Sequence, residues 1–387
     1  MGALLKWSAR GLAFCLMLVL ALGIWKRDEI RRLWAVNTLF DEDQIVANFS
    51  NMKDLFLVTD LDRGDGPVSP LTGIAVDRLG PDVDDWVLAR DVTSMVVLKD
   101  GALVHENYFL GTDPLDLRIG WSVSKSLLSA LFGVVMAEGG IGSLDDMVKE
   151  YVPSLAGTAY DGVSVRNVLN MTSGVAFNED YLDYYSDINR MGRVLALGQS
   201  MDDFAISLTD RIGPPGEVWK YVSIDTHVVA MVLRAATGRS IPDLMSEKLI
   251  KPLGLEAAPY YLTDGDGTAF ALGGVNMSTR DFARFGLLYA QGGQINGTQV
   301  IPADWVEMST SPTAPTETGE TGFGFQWWVP KTAEPGEFMA RGIYGQYIYV
   351  NRSKGIVIAC TAADLGFRED GAIDQSVAVF RQIAETL

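Results

Sequence analysis

Ser122 and Lys125 lie three residues apart in GWSVSKSLLSALFGVVMAEGG (120–140), where an apolar run with helical spacing begins. Residues three apart on a helix share a face, so the hydroxyl and the amine can meet. A serine in a first helical turn also has free backbone N–H groups and the positive end of the helix dipole beside it, and both favour a developing oxyanion. The lysine can act as a base only when neutral. Its ordinary pKa of about 10.4 must then be brought down by burial or by neighbouring cations. An amphipathic helix with a capping serine and a snorkelling lysine has the same pattern, so Ser-x-x-Lys alone decides nothing.

Two further stretches add to it. Trp219-Lys220-Tyr221-Val222-Ser223 precedes the helix-like IDTHVVAMVLRAATG, and a tyrosine at such a junction can point its hydroxyl into a cleft and shuttle a proton. Ala340-Arg341-Gly342-Ile343-Tyr344-Gly345-Gln346 leads into the strand-like QYIYV, where glycines allow close backbone approach and an N–H can meet an oxyanion. Each also reads as ordinary structure, a packed aromatic and a turn. Other serine-nucleophile layouts fit worse. GWSVS fails the last position of G-x-S-x-G. The two histidines, His105 and His227, sit on a strand-like and a helix-like segment and read as packed side chains. His105-Glu106 lacks the second histidine of HExxH, which removes zinc hydrolysis.

Taken in order and at these separations, the three elements resemble the serine β-lactamase and penicillin-recognising superfamily. The resemblance is to its class C-like branch of esterases, D-aminopeptidases and 6-aminohexanoate-dimer hydrolases. It runs from about residue 70 to the end and includes VLKDGALVHENYF, VSVRNVLNMTSGV, STRDFARFGLLYAQGGQINGTQVIPADWV and GFGFQWWV. NEDYLDYYSD (178–187) is similar to the aminohexanoate-dimer hydrolases in particular. The resemblance implies that Ser122 attacks a carbonyl, Lys125 accepts its proton, and Tyr221 relays a proton to the leaving group. It implies an oxyanion hole from the backbone N–H groups of Ser122 and Ile343, with Tyr181, Ser223, Gly342 and Tyr344 around the substrate. No metal or organic cofactor is implied.

Two departures from the family pattern bear on substrate. Ala340 stands where relatives carry Lys or His, and strand alternation should turn Arg341 to the other face. Ser223 stands where many relatives carry Asn. Both argue against β-lactams and cell-wall peptides and leave an ester- or amide-cleaving core. The partner is then a small-molecule ester or amide. An aromatic wall of Tyr181, Tyr184, Tyr185, Trp327, Trp328 and Tyr344 suits an apolar or linear acyl group. The alternatives are a D-Ala peptidase or β-lactamase, and a silent binding homologue.

The elements that must position these groups follow from the remaining pattern. At 387 residues, with 48% apolar and 21% charged residues, the chain can bury a deep core. A net charge of −18 excludes a nucleic-acid surface. The two cysteines, Cys15 and Cys360, are too far apart in pattern to predict a disulfide.

Lys6 and Arg10 precede the apolar run 11–25, which suits a signal-peptide core or an uncleaved anchor. That predicts export to the periplasm or beyond, with a membrane tether as the alternative to cleavage. Residues 26–90 read as linker and irregular extension. Asp100-Gly101 between apolar runs predicts a hairpin. Strand signals return at 323–329, 346–350 and 355–362, and Ile373, Val377, Phe380 and Ile383 predict a closing helix.

The expected fold is α+β and β-lactamase-like: one antiparallel sheet flanked by helices, with a mostly helical insertion. The expected division is 1–35 as signal or anchor, 36–90 as extension, 91–121 with 270–387 as sheet domain, and 122–269 as helical domain.

Overall fold

The computed structural model describes residues 2–76 and 78–387, and it opens with two successive helices, α1 (Gly2–Trp25) and α2 (Arg27–Thr38). Helix α1 carries its apolar side chains outward, Leu12, Phe14, Val19 and Ile24 among them. Among the described residues, the one helical stretch long and apolar enough to cross a membrane is Lys6–Trp25, 20 residues, longer than the 11–25 run because the helix continues through Arg10. A signal sequence has the same shape.

Residues 26–90 are more ordered than their charge and Gly/Pro content predicts. They hold α2, three further short helices (Ile45–Ser50, Met52–Leu55, Pro81–Ala89) and two short strands. The reason is a run of apolar residues too short to show a period. Ala35, Leu39, Ile45, Phe49, Met52 and Phe56 all enter the main core.

The central sheet has eight strands: β1 (Gly73–Val76), β2 (Val92–Lys99), β3 (Ala102–Tyr108), β4 (Gly322–Phe323), β5 (Trp328–Val329), β6 (Glu337–Gly342), β7 (Gln346–Asn351) and β8 (Ile356–Ala362). Their order across the sheet is β4-β5-β6-β7-β8-β2-β3-β1. All neighbours are antiparallel except β1 and β3. The predicted hairpin joins β2 to β3, with Asp100 and Gly101 at φ 49° and 82°, the positive-φ pair whose twist suits a two-residue turn. Strands from the two ends of the sequence meet where β2 pairs β8, Met95 opposite Cys360. The predicted strand 323–329 is instead two short strands. Gln326 breaks it at φ 66°, held there by bonds from its buried side chain to the Val168 and Leu169 carbonyls (3.2 and 2.8 Å).

Between the two strand groups the chain is mainly helical. Helix α3 (Val123–Ala137) is buried almost throughout, α4 (Asp187–Ala196) packs on α2, and α5 (Ser223–Thr237) packs on α3. Gly238, at φ 66°, ends α5. Helix α6 (Thr279–Ala290) is capped by Ser278, as its sequence predicts, and lies directly on the sheet. A Cβ at Gly286 would meet Val357 and Ile348 at 2.6 and 2.7 Å. The closing helix α7 (Ala372–Thr386) covers the opposite face, with Val377, Phe380 and Ile383 packed against Met95, Ile358 and Tyr349.

The α+β expectation therefore holds: a sheet between helical layers, with the helical section lodged between β3 and β4 in the chain. The cleft lies between the end of β6 and the α3/α5 side.

Candidate active site

Ser122 is the residue before the first turn of α3, directly after a strained backbone position: Trp121 has φ 45°, rare for a bulky residue. That kink lifts Ser122 out of the preceding strand Arg118–Ile119 and turns it to the cleft. One helical turn on, Lys125 Nζ lies 3.1 Å from Ser122 Oγ and donates to the Leu272 carbonyl at 2.6 Å. Burial brings the Lys125 amine down to about 7, against the pull of the Glu179 carboxylate, which favours the ammonium. The other serines of the motif are structural. Ser124 Oγ accepts from Val275 N (3.0 Å) and Ser126 Oγ donates to the Gln326 carbonyl (2.7 Å).

Tyr221 stands just before α5. Its ring stacks on Trp328, with centroids 5.4 Å apart and planes 21° from parallel, and lies 5.5 Å from Lys125 Nζ. Its hydroxyl faces Ser122 and Ser223. Burial, then the nearby Glu179 carboxylate, holds the phenol well above its usual range, with Arg341 opposing. Ser122, Lys125 and Tyr221 are thus brought together in space.

Glu179 is the residue that sequence reasoning missed. Its carboxylate accepts from the Ser223 backbone N–H and from the Tyr181 hydroxyl (3.1 Å), and burial raises its pKa. A signal was present, an acid two positions before Tyr181 in the very segment quoted for its tyrosines, but an acidic residue in a polar loop reads as solvated.

The start of the β6–β7 turn comes to the serine by backbone contact. A Cβ at Gly342 would sit 2.5 Å from the Gly120 carbonyl and 3.2 Å from Ser122 N, so only glycine permits this approach. Neither the Ser122 nor the Ile343 N–H donates to a backbone carbonyl among the described residues. Gln346 fixes the turn: its amide donates to the carbonyls of Ile343, Tyr344 and Ala362 at 3.2, 2.9 and 2.8 Å.

Several expected wall residues lie elsewhere. Tyr344 turns inward onto Phe40 and Phe367, each ring centroid 4.6 Å away. Trp327 is fully buried in the core, while Tyr184 and Tyr185 face solvent. Ala340 packs into the main core. Arg341 does alternate to the opposite face, but Tyr221 and Trp328 stand on that face, so it lines the cleft after all. Its guanidinium lies 3.9 Å over the Trp328 ring. His105 and His227 are packed as expected, bonded to the Val76 carbonyl (2.8 Å) and Asp202 (2.7 Å). Among the described residues no group of three or more His, Cys, Asp or Glu could hold a metal.

The cleft has two lobes that meet at Ser122, Tyr181 and Ile343. One is an apolar cavity of about 110 Å³ roofed by Val36, Leu39 and Phe40 and floored by Met191, Phe270 and Leu272. The other, about 320 Å³, is lined by Glu179, Tyr221, Trp328, Arg341, Tyr347 and Arg368. The N-terminal segment, read from sequence as a linker, supplies the roof.

The family model described as beta-lactamase matches residues 88–379. The 6-aminohexanoate-dimer hydrolase of Paenarthrobacter ureafaciens is 31% identical over 330 residues, covering 80% of this chain and 83% of that protein. A solved structure provisionally assigned as a 6-aminohexanoate-dimer hydrolase from Bacillus anthracis superposes with TM-score 0.79 at 21% identity, over 90% of this chain and 96% of that one. A D-stereospecific amidohydrolase from Streptomyces sp. gives TM-score 0.56 at 21% identity, over 72% and 94%.

Proposed function

The chain belongs to the beta-lactamase family and is a serine hydrolase of that fold, and we propose that it cleaves carboxylic esters or small amides through an acyl-enzyme on Ser122. The observation that carries this reading is Lys125, buried, poised near pH 7 and 3.1 Å from the serine hydroxyl.

In the proposed sequence Lys125 Nζ takes the Ser122 proton as Oγ bonds to the substrate carbonyl carbon. The carbonyl electron pair moves onto oxygen, where the N–H groups of Ser122 and Ile343 receive it. Collapse restores the carbonyl and breaks the C–O or C–N bond. The leaving group takes a proton from Tyr221, and the Lys125 ammonium returns one to the phenolate. Water then attacks the acyl carbon with Lys125 or Tyr221 as base. This releases the acid and restores Ser122, so one water is consumed per bond cleaved. Gly342 keeps the two oxyanion donors adjacent, and Glu179 ties Ser223 and Tyr181 into the wall.

Export also belongs to this proposal. Lys6–Trp25 serves as a signal or anchor that puts the body in the periplasm or outside the cell, and fractionation of the full chain checks it.

The deciding experiment is labelling of the protein by a fluorescent fluorophosphonate beside Ser122→Ala. Labelling that vanishes in the variant is expected. No labelling of folded wild type sinks the reading and leaves a silent homologue. Turnover of a chromogenic cephalosporin faster than simple esters would instead favour the β-lactamase alternative.

A further inference from the structure

We propose that α1 stays on the mature protein as a bilayer-spanning anchor, and that the outward stripe of α2 (Arg27, Ile30, Arg31 and Trp34) lies in the headgroup layer. This rests on the signal-or-anchor reading of Lys6–Trp25, chooses the anchor, and gives the body a fixed seat on the membrane.

Helix α1 is built for an interface at both ends. Trp7 and Trp25, 72% and 74% exposed, bracket its apolar run. They are 18 residues apart, about 27 Å of helix rise, close to the roughly 30 Å of hydrocarbon in a bilayer. Indoles so placed sit at the two headgroup levels of a span. Lys6 stands beside the first, and Lys26 holds its Nζ 4.7 Å over the ring of the second. A cleaved signal has an apolar core of about 7–15 residues and a small-residue site where the mature chain starts. Here the small residues Ala21 and Gly23 lie inside the helix, whose hydrogen bonding runs on into α2. The Lys26 N–H donates to the Leu22 carbonyl at 2.8 Å, and the Ile30 N–H to the Lys26 carbonyl at 2.9 Å.

Helix α2 has two different faces. On the inner one, Ala35, Val36, Leu39 and Phe40 pack on the body, and Arg32 Nε donates to the Ala196 carbonyl at 2.7 Å. On the outer one, Arg27, Ile30, Arg31 and Trp34 recur at i, i+3, i+4 and i+7. Ile30 is 52% and Trp34 71% exposed. An indole and an isoleucine set between arginines, directly after a span, is the composition of a helix lying among headgroups. Lys26, Arg27, Arg31 and Arg32 outnumber Asp28 and Glu29 here, although the whole chain carries −18, so this segment complements anionic lipid. The exposed Asp41, Glu42 and Asp43 beyond α2 mark where the contact ends. Val36, on the roof of the apolar lobe, follows Trp25 by 11 residues, at most about 16 Å of helix. The apolar lobe is therefore held within about that distance of the bilayer surface.

The test uses the full chain, first by intact mass from cells and then in phosphatidylcholine vesicles with and without phosphatidylglycerol. Cys15→Ala leaves only the buried Cys360, so Trp34→Cys or Glu385→Cys, the latter on the closing helix, each carry one environment-sensitive dye. Thermal melts check that every variant is folded. Expected is a mass that retains α1. In anionic vesicles the dye at 34 should shift to the blue and be quenched by headgroup spin-labelled lipid, while the dye at 385 does neither. Arg27→Glu with Arg31→Glu should release the dye at 34, at about fivefold in binding per unit of charge removed. A mature chain that begins after Gly23, or a dye at 34 that stays in water with α1 present, overturns the inference. Shielding of that dye in lipid-free detergent together with a doubled mass also overturns it, by assigning the face to a second copy of this chain. Protease access to the body in spheroplasts tests export separately: a body facing the cytoplasm sinks export and leaves this inference standing.

Discussion

The Phe40 ring lies almost flat on Tyr344, with centroids 4.6 Å apart and planes 18° from parallel. Tyr344 follows Ile343, so a residue of the N-terminal segment braces the turn that carries the Ile343 N–H, the proposed second oxyanion donor, beside Ser122. Phe49 and Trp121 close the same cluster from 5.7 Å (Phe49 to Tyr344) and 5.6 Å (Phe49 to Trp121).

Phe40→Ala should therefore lower kcat/KM by roughly tenfold while also costing about 2 kcal/mol of stability, or near 4 °C in Tm. Kinetics and thermal melts on the same preparation separate the two effects. A variant that loses Tm but keeps full kcat would remove Phe40 from the positioning of Ile343.

The Lys125 amine, held near 7, makes the rate depend on pH in a defined direction. Activity should rise with pH through about 7 as the base becomes neutral. Lys125→Ala should lose about a thousandfold or more. Glu179 favours the ammonium, so Glu179→Gln should let Lys125 deprotonate at lower pH and slide the acid limb downward. An unmoved limb would mean that a different group titrates.

On the proposed mechanism, Tyr221→Phe removes the proton for the leaving atom. Amides, whose nitrogen leaves poorly without a proton, should lose on the order of a thousandfold, and activated aryl esters far less. Equal losses on both would assign the phenol to deacylation. Tyr181→Phe should follow the same order more weakly, because its hydroxyl is held on Glu179 at 3.1 Å.

Asp225 is buried beneath the site, bonded to Tyr160 (2.8 Å) and Ser173 (2.9 Å), and burial pushes its carboxyl up to about 8. The unfolded chain ionises it above about pH 4. Its stabilising contribution is therefore complete below about 4 and is lost as pH rises through 8. Asp225→Asn keeps an acceptor and removes the titration, so the fall of Tm between pH 5 and 9 should flatten. A slope equal to wild type would place the alkaline sensitivity elsewhere.

Ser122, Lys125 and Tyr221 were legible because each sits at a motif whose spacing fixes it on a helix start or a loop-to-helix junction. What escaped were contacts between segments distant in sequence. Val36, Leu39 and Phe40 roof a cavity from a stretch whose apolar residues are too few for a period, and their place is set by packing on α4. Arg341 was correctly given the opposite face, but nothing local says that Tyr221 and Trp328 stand there too. Tyr184 and Tyr185 look like cleft aromatics by composition, yet their loop presents both side chains to solvent. Gln326 sits in the middle of a convincing strand and breaks it only because helix-end carbonyls, Val168 and Leu169, are within its reach.

The contact between Gly342 and Ser122 joins positions more than two hundred residues apart, and β2 can pair β8 only after nearly the whole chain has been made. Contacts of such long sequence separation form late, because loop closure must precede any gain from them. A nascent chain thus carries Ser122 without Gly342 and Ile343 beside it, so on the proposed mechanism the nucleophile stays chemically quiet until the last strands dock. Acylation of Ser122 would then time-stamp the completion of folding, molecule by molecule.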